Sequence, residues 1–509
     1  MIKLKLFVLI LVGQICTSPM LEQSQTYAQG STQVVYHSEL RPLLQGKYIP
    51  VGYYSSASLG QLTAVAISLT ATQAPASVRL VGETVSGEKI ELGAVSNPES
   101  QVSFKLKNLN VVFIKIWVEV KAQKDHDLLD IINMVPSEVK INDRNVSLTL
   151  SKETPNYRIA KELRNTGFDG IHSYRIPGLV TTPKGTLIAV YDIRKNSSVD
   201  LQDDVDVGMS RSTDGGDTWD PMEVIMDMGT YGGLPQDQNG VGDPTVLVDP
   251  STGYIYVVAL WAHGKPGERI WFSSRQGMTP QETGQLVLTK SEDDGGTWSA
   301  PVNITTQLKD PSWNLFFNGP GMGITLKDGT LVFPAQFKDA DQMPHSTIVY
   351  SKDKGDTWKV GTGAKSNTTE AQVVELTNGS LMLNMRDNRG GFRSIAITEN
   401  MGETWVEHSS SRSALVEPVC MASIIRHPTD DLLLFSNPAV SDGRYNMTIK
   451  SSTDQGLSWP VGQQLLLDEG PGWGYSCLTL IDQEHVGILY ESSVAHMTFQ
   501  KIKLTDIIN

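Results

Sequence analysis

The chain has 509 residues, 39% of them hydrophobic and 19% charged, which is ordinary for a folded globular protein with room for more than one domain. Its formal net charge of −14 argues against nucleic acid as a partner, because reading phosphates needs a basic surface. A small anionic ligand stays compatible, since a few arginines in a cleft set the local field whatever the global charge.

In chain order, Met1-Ile2-Lys3-Leu4-Lys5 precedes an apolar run from Leu6 to Val12, the form of a secretory signal peptide, with small residues before a cut after Ala28. The run is too short to span a bilayer as a stable helix, and no other segment reads as transmembrane. Lipid attachment at Cys16 is the alternative, in the poor context Gly13-Gln14-Ile15. The expectation is an exported protein: secreted, periplasmic or at the cell surface. Three cysteines are too few for a disulfide-stapled fold and lack zinc-site spacing. With Cys16 in the leader, Cys420 and Cys477 read as reduced core thiols, one bridge between them being the other option. No metal or other cofactor is expected, and the oligomeric state is not legible.

Residues 29–155 are rich in β-branched runs such as Val78-Arg79-Leu80-Val81 and Val111–Val120, separated by turns such as Ser86-Gly87. They predict a β-sandwich, either a carbohydrate-binding module or a structural accessory. From 156 to 509 the texture becomes repetitive. Ser212–Trp219, Ser291–Trp298, Ser351–Trp358 and Ser452–Trp459 share Ser-x-Asp-x-Gly-x-(Thr/Ser)-Trp, and Thr398–Trp405 is a degenerate copy. The tryptophans stand 79, 60, 47 and 54 residues apart, each interval holding one four-stranded propeller blade. The Asp accepts bonds from backbone N–H groups, the Gly supplies positive φ and the Trp packs between strands. This is a structural turn, so its aspartates are not read as catalytic.

These copies resemble the Asp boxes of sialidases and of several other glycosidase or receptor propellers. Tyr174-Arg175-Ile176-Pro177, just ahead of the first, resembles the Phe/Tyr-Arg-Ile-Pro motif of the bacterial exo-α-sialidase family, and the likeness covers residues 160–509. It implies an all-β fold, a six-bladed β-propeller behind the sandwich, and a retaining exo-α-sialidase acting on sialylated glycans. By the same resemblance Arg175, Arg386 and Arg444 bind the sialic acid carboxylate, and Glu491 orients Arg175. Asp200 is the acid/base, with Asp203, Asp204 and Asp206 as rivals in its loop. Tyr475 is the nucleophile and Glu370 its base. Arg194 and Asp243 lie around the C4 hydroxyl and amide, and Trp261 lines the N-acetyl pocket.

The residue types suit that chemistry. A guanidinium fork pairs with a carboxylate through two parallel charge-assisted bonds. An anomeric carbon that already bears a carboxylate repels a charged nucleophile, whereas a neutral phenol approaches freely and gives its proton to a neighbouring glutamate. Two alternatives stand beside hydrolysis: an intramolecular trans-sialidase, and a non-catalytic sialoglycan-binding propeller. The joint presence of acid, base, nucleophile and three arginines counts against the second.

Overall fold

Short β-branched runs cut by Gly, Asp and Asn turns make strands nearly throughout. The computed structural model describes residues 48–55, 62–71, 75–99, 101–106, 111–121, 127–128, 131–141, 144–145, 149–150, 160–201, 203–263, 268–428 and 431–508. The leader read at 1–28 lies outside them. Among the described residues the α-helices are single turns, Ile270–Ser273 and Thr305–Leu308, and no helix is long and apolar enough to cross a membrane.

The N-terminal part forms two antiparallel sheets. One runs Thr149–Leu150, Ile49–Ser55, Phe113–Lys121, Ser77–Thr84, Lys89–Ser96, and the other Gln101–Lys105, Leu62–Ala71, Ile131–Ile141, Arg144–Asn145. Strand alternation buries Val78, Leu80, Val118 and Val120 from the first, and Val65, Ile67, Val102 and Phe104 from the second. The two-residue strand Asp127–Leu128 pairs with Ala160–Lys161 and so extends the last propeller blade.

Six antiparallel sheets follow. Blade 1 comprises Ser173–Thr181, Leu187–Arg194, Val205–Ser212 and Glu223–Met226; blade 2, Asn239–Asp249, Tyr254–His263, Gln285–Ser291 and Val302–Asn303; blade 3, Leu315–Asn318, Leu331–Lys338, Pro344–Ser351 and Lys359–Val360. Blade 4 comprises Thr368–Glu375, Leu381–Asp387, Ser394–Thr398 and Val406–Glu407; blade 5, Ser423–Arg426, Leu433–Pro438, Met447–Ser452 and Gln464–Asp468; blade 6, Ser476–Leu480, His485–Tyr490 and Met497–Lys503. Ala160–Arg164, ahead of blade 1 in sequence, is the fourth strand of blade 6. Each blade's inner strands touch those of the next, and blade 6 touches blade 1, so the ring closes. Closure by an N-terminal strand fastens the two chain ends of the propeller together.

All five boxes adopt one geometry at the end of a blade's third strand. In the first, Ser212 Oγ donates to Asp214 at 2.9 Å, and Asp214 accepts from Thr218 N at 2.8 Å and Thr218 Oγ1 at 2.5 Å. In the degenerate copy Asn400 Oδ1 takes the same bond from Thr404 N at 3.0 Å. Each box packs on the preceding blade. A Cβ at Gly216 (φ 94°) would overlap Phe499 of blade 6, and one at Gly295 (φ 83°) would press on Ile188 of blade 1. Trp219 meets Phe499 edge-on at 5.1 Å, and Trp358 meets Tyr256 of blade 2 at 6.4 Å. The tryptophans therefore fasten blades, and not only neighbouring strands as the sequence predicts. Cys420 and Cys477 are free and buried, as expected.

Candidate active site

Strand direction decides which residues can meet. First strands start, and second strands end, on one face of the propeller; the boxes, after third strands, lie on the opposite face. The site face receives Arg175, Asp243 and Glu370 near the starts of first strands, and Arg194 and Arg386 near the ends of second strands. Tyr475 just precedes a first strand, Glu491 just follows a second, and Asp200 and Arg444 lie in loops between second and third strands. Three of these positions sit at β-bulges, where register slips between Arg175 and Gly178, between Gly242 and Thr245, and between Thr368 and Ala371. A bulge re-aims a side chain, here those of Arg175, Asp243 and Glu370.

The three arginines converge on one phenol. Arg386 Nη1 donates to Tyr475 Oη at 3.0 Å and to Glu370 Oε2 at 2.5 Å, while Tyr475 Oη donates to Glu370 Oε1 in a short hydrogen bond. The Arg175 and Arg444 guanidiniums each lie 5.5 Å from the Tyr475 ring centroid, and Arg175 also lies 4.6 Å from that of Trp473. Burial and the Glu370 charge push the Tyr475 phenol well above its ordinary range, against the pull of Arg386 and Arg444. The phenol therefore rests neutral.

Two of the arginines have carboxylate partners. Glu491, buried, accepts from Arg175 Nε at 2.6 Å, from Ile176 N at 3.0 Å and from Tyr475 N at 3.0 Å. It thus ties together the Tyr-Arg-Ile-Pro strand and the Tyr475 peptide, which explains Ile176 at φ 64°, a strained value for a β-branched residue. Arg444 instead donates to the carbonyls of Trp473 at 2.8 Å and Val419 at 3.2 Å. Among the described residues no carboxylate forms an ion pair with it.

The second cluster lies on blades 1 and 2. Arg194 is fully buried between Asp192, at 2.8 Å, and Asp200, also at 2.8 Å. The Asp200 side chain is 59% exposed and has Arg269 at 3.8 Å. Partial burial raises its pKa, but Arg194, Arg175 and Arg269 outweigh this and hold it below the ordinary aspartate range. Asp203, Asp204 and Asp206 turn elsewhere: Lys195 takes Asp204 and Asp206, and Asp203 accepts from Asn196. Asp243, at φ 56°, donates its N–H to Asp192 at 2.8 Å and has its carbonyl held by Asn318 Nδ2 at 2.5 Å. Burial, then the Asp192 and Asp200 charges, drive its carboxyl well above the ordinary range, against the pull of Arg194.

A raised carboxyl in the folded state costs stability at neutral pH, and that cost fades as pH falls through its folded pKa. Asp243→Asn is therefore expected to raise the thermal midpoint at pH 7 and by less at pH 5. Equal shifts at both pH values would show that Asp243 is ionised or exposed.

Trp261 is the one predicted site residue that the structure keeps away from this surface. It is fully buried within blade 2, its Nε1 donating to Asn239 Oδ1 and its ring meeting Tyr231 edge-on at 4.8 Å. With no exposed surface it cannot line an N-acetyl pocket; it is core, because the strand's alternation points it into the blade. Three participants are absent from the sequence reading: Asp192, Arg269 and Trp473. Only Asp192 carried a signal, two residues from Arg194 and hence on the same side of a strand.

Comparison with known proteins identifies the family. Residues 176–491 match the BNR repeat-like domain family. A sialidase of Bacteroides fragilis is 50% identical over 91% of this chain and 83% of its own length. A sialidase of Micromonospora viridifaciens is 33% identical over 65% of this chain and 52% of its own. Among solved structures, the Hadza microbial sialidase Hz136 is 44% identical, with a TM-score of 0.75 over 93% of this chain and 99% of that one. Trypanosoma rangeli sialidase, at 23% identity and a TM-score of 0.56 over 65% of this chain and 55% of that one, shares the fold. The chain belongs to the exo-α-sialidase family of BNR-repeat propellers.

Proposed function

We propose that the chain is a retaining exo-α-sialidase that hydrolyses terminal sialic acid from glycoproteins, glycolipids and oligosaccharides. The observation that carries this reading is a neutral, buried phenol bonded to a carboxylate and surrounded by three guanidiniums. That set suits a sugar whose anomeric carbon bears a carboxylate. Arg175, Arg386 and Arg444 bind the carboxylate, and Glu491 orients Arg175. Asp200 protonates the leaving glycosidic oxygen as Tyr475 attacks the anomeric carbon from the other side, its proton passing to Glu370. The covalent sialyl-tyrosine then yields to water: Asp200 takes the water's proton, the new C–O bond forms, and Glu370 returns its proton to the departing phenolate. Arg194 and Asp243 face the C4 hydroxyl and amide side. The residues require no cofactor for these steps. An exported location, read from residues 1–28, belongs to the same proposal.

Fluorescence release from a 4-methylumbelliferyl α-sialoside, followed in parallel by NMR, tests this reading. Free sialic acid appearing first as the α-anomer is the expected result. The β-anomer first, or a product lighter by one water, would overturn retention or hydrolysis respectively.

Asp200 must hold a proton to act as acid, yet Arg269 opposes it. Arg269→Gln removes one positive neighbour and should raise the Asp200 pKa, moving the alkaline limb of kcat/KM upward by about half a unit. A limb that does not move would point to another proton donor.

A further inference from the structure

A further buried ion pair stands behind two of the three arginines. Arg393 and Glu417 are both buried, 3.3 Å apart. The two Glu417 oxygens accept from Asp387 N at 2.8 Å and from Cys420 N at 3.0 Å. Arg393 closes the loop, donating to Cys420 O at 2.7 Å and to Asn384 Oδ1 at 2.6 Å. Asp387 directly follows Arg386. Cys420 directly follows Val419, whose carbonyl accepts Arg444 Nη2 at 3.2 Å. Val419 has φ 58°, a region that a β-branched residue occupies only when its surroundings impose it.

We propose that Glu417, held by Arg393, is a positioning residue for the carboxylate site: it keeps Val419 in the left-handed conformation that turns its carbonyl to Arg444, and it anchors the peptide that follows Arg386. The inference rests on the reading of the arginines as a carboxylate site. Glu491 shows the same construction, gripping Arg175 and two N–H groups beside strained Ile176. An ion pair that only filled space would have no reason to grip the peptides beside both Arg386 and Val419. Arg444, with no carboxylate partner among the described residues, is held by carbonyls, so the aim of Val419 matters to it.

The test compares wild type with Glu417→Gln in two measurements. The first is steady-state hydrolysis of the 4-methylumbelliferyl sialoside. The second is inhibition by 2-deoxy-2,3-didehydro-sialic acid against inhibition by its methyl ester. A misplaced arginine weakens carboxylate binding alike in ground and transition states. KM should therefore rise about tenfold with kcat nearly unchanged, and the preference for acid over ester should shrink by a similar factor. Val419→Pro, at a half-exposed position, asks the same question with both members of the buried pair left in the chain, because proline forbids positive φ; the same two changes are expected. Variants that are less heat-stable but keep KM and the acid preference would overturn the positioning role. Wild type that binds the acid no better than the ester would instead overturn the carboxylate-site reading beneath it.

Discussion

Tyr475→Phe is expected to lower kcat by about three orders of magnitude while leaving the fold in place. The change removes one oxygen, the atom that donates to Glu370 and accepts from Arg386. The ring stays packed with Ile176, Cys420 and Met421 beneath the site, and Glu370 keeps its ion pair with Arg386. Steady-state rates on the 4-methylumbelliferyl sialoside, set beside a thermal melt, make the check. A variant that melts like wild type but turns over near the wild-type rate would place the nucleophile elsewhere. A neutral phenol is the informative feature. Burial and the adjacent Glu370 charge both resist its ionisation, so the proposed attack is coupled to proton transfer along that short hydrogen bond.

Glu491→Gln should be costly in a different way. Glu491 is buried and neutralises Arg175 while accepting two backbone N–H groups. An amide has one oxygen to offer and turns its NH₂ toward donors that already need acceptors. Removing one partner of a buried pair typically costs about 3–5 kcal/mol, because the other charge is left uncompensated. The thermal midpoint should drop clearly, and kcat/KM should fall with it, since Ile176 N and Tyr475 N lose their common anchor. A midpoint within a degree or two of wild type would mean that Arg175 finds another acceptor and that the strain at Ile176 needs no brace. The contrast with Tyr475→Phe separates the two roles: one variant loses chemistry and keeps stability, the other loses both.

The Asp200 loop shows where local reading stops. Four aspartates lie within seven residues, and a solvated acidic loop would be their ordinary interpretation. The fold distinguishes them by neighbours. Asp200 reaches Arg194, a strand-end residue of blade 1, whereas Asp204 and Asp206 are taken by Lys195. Trp261 shows the opposite case. An aromatic residue near the end of a second strand has the right address for a pocket, but its side of the strand faces the blade interior.

What the sequence by itself determined is local or motif-bound. The boxes close as written, because a serine, an aspartate and a glycine within five residues need no distant partner to make their hydrogen bonds. Their spacing set the blade size, and the motifs around Arg175, Arg386, Arg444, Tyr475 and Glu491 named residues that the fold does bring together. Only the tertiary structure decided which blade each box presses on, which aspartate meets Arg194, that Trp261 is core, and that Glu417 and Arg393 stand behind the arginines. The physical reason is that ion-pair partners such as Arg175 and Glu491 lie at opposite ends of the propeller sequence, and that a side chain's direction depends on strand register and bulges. Those follow from closing the ring of blades, which no short stretch of sequence encodes.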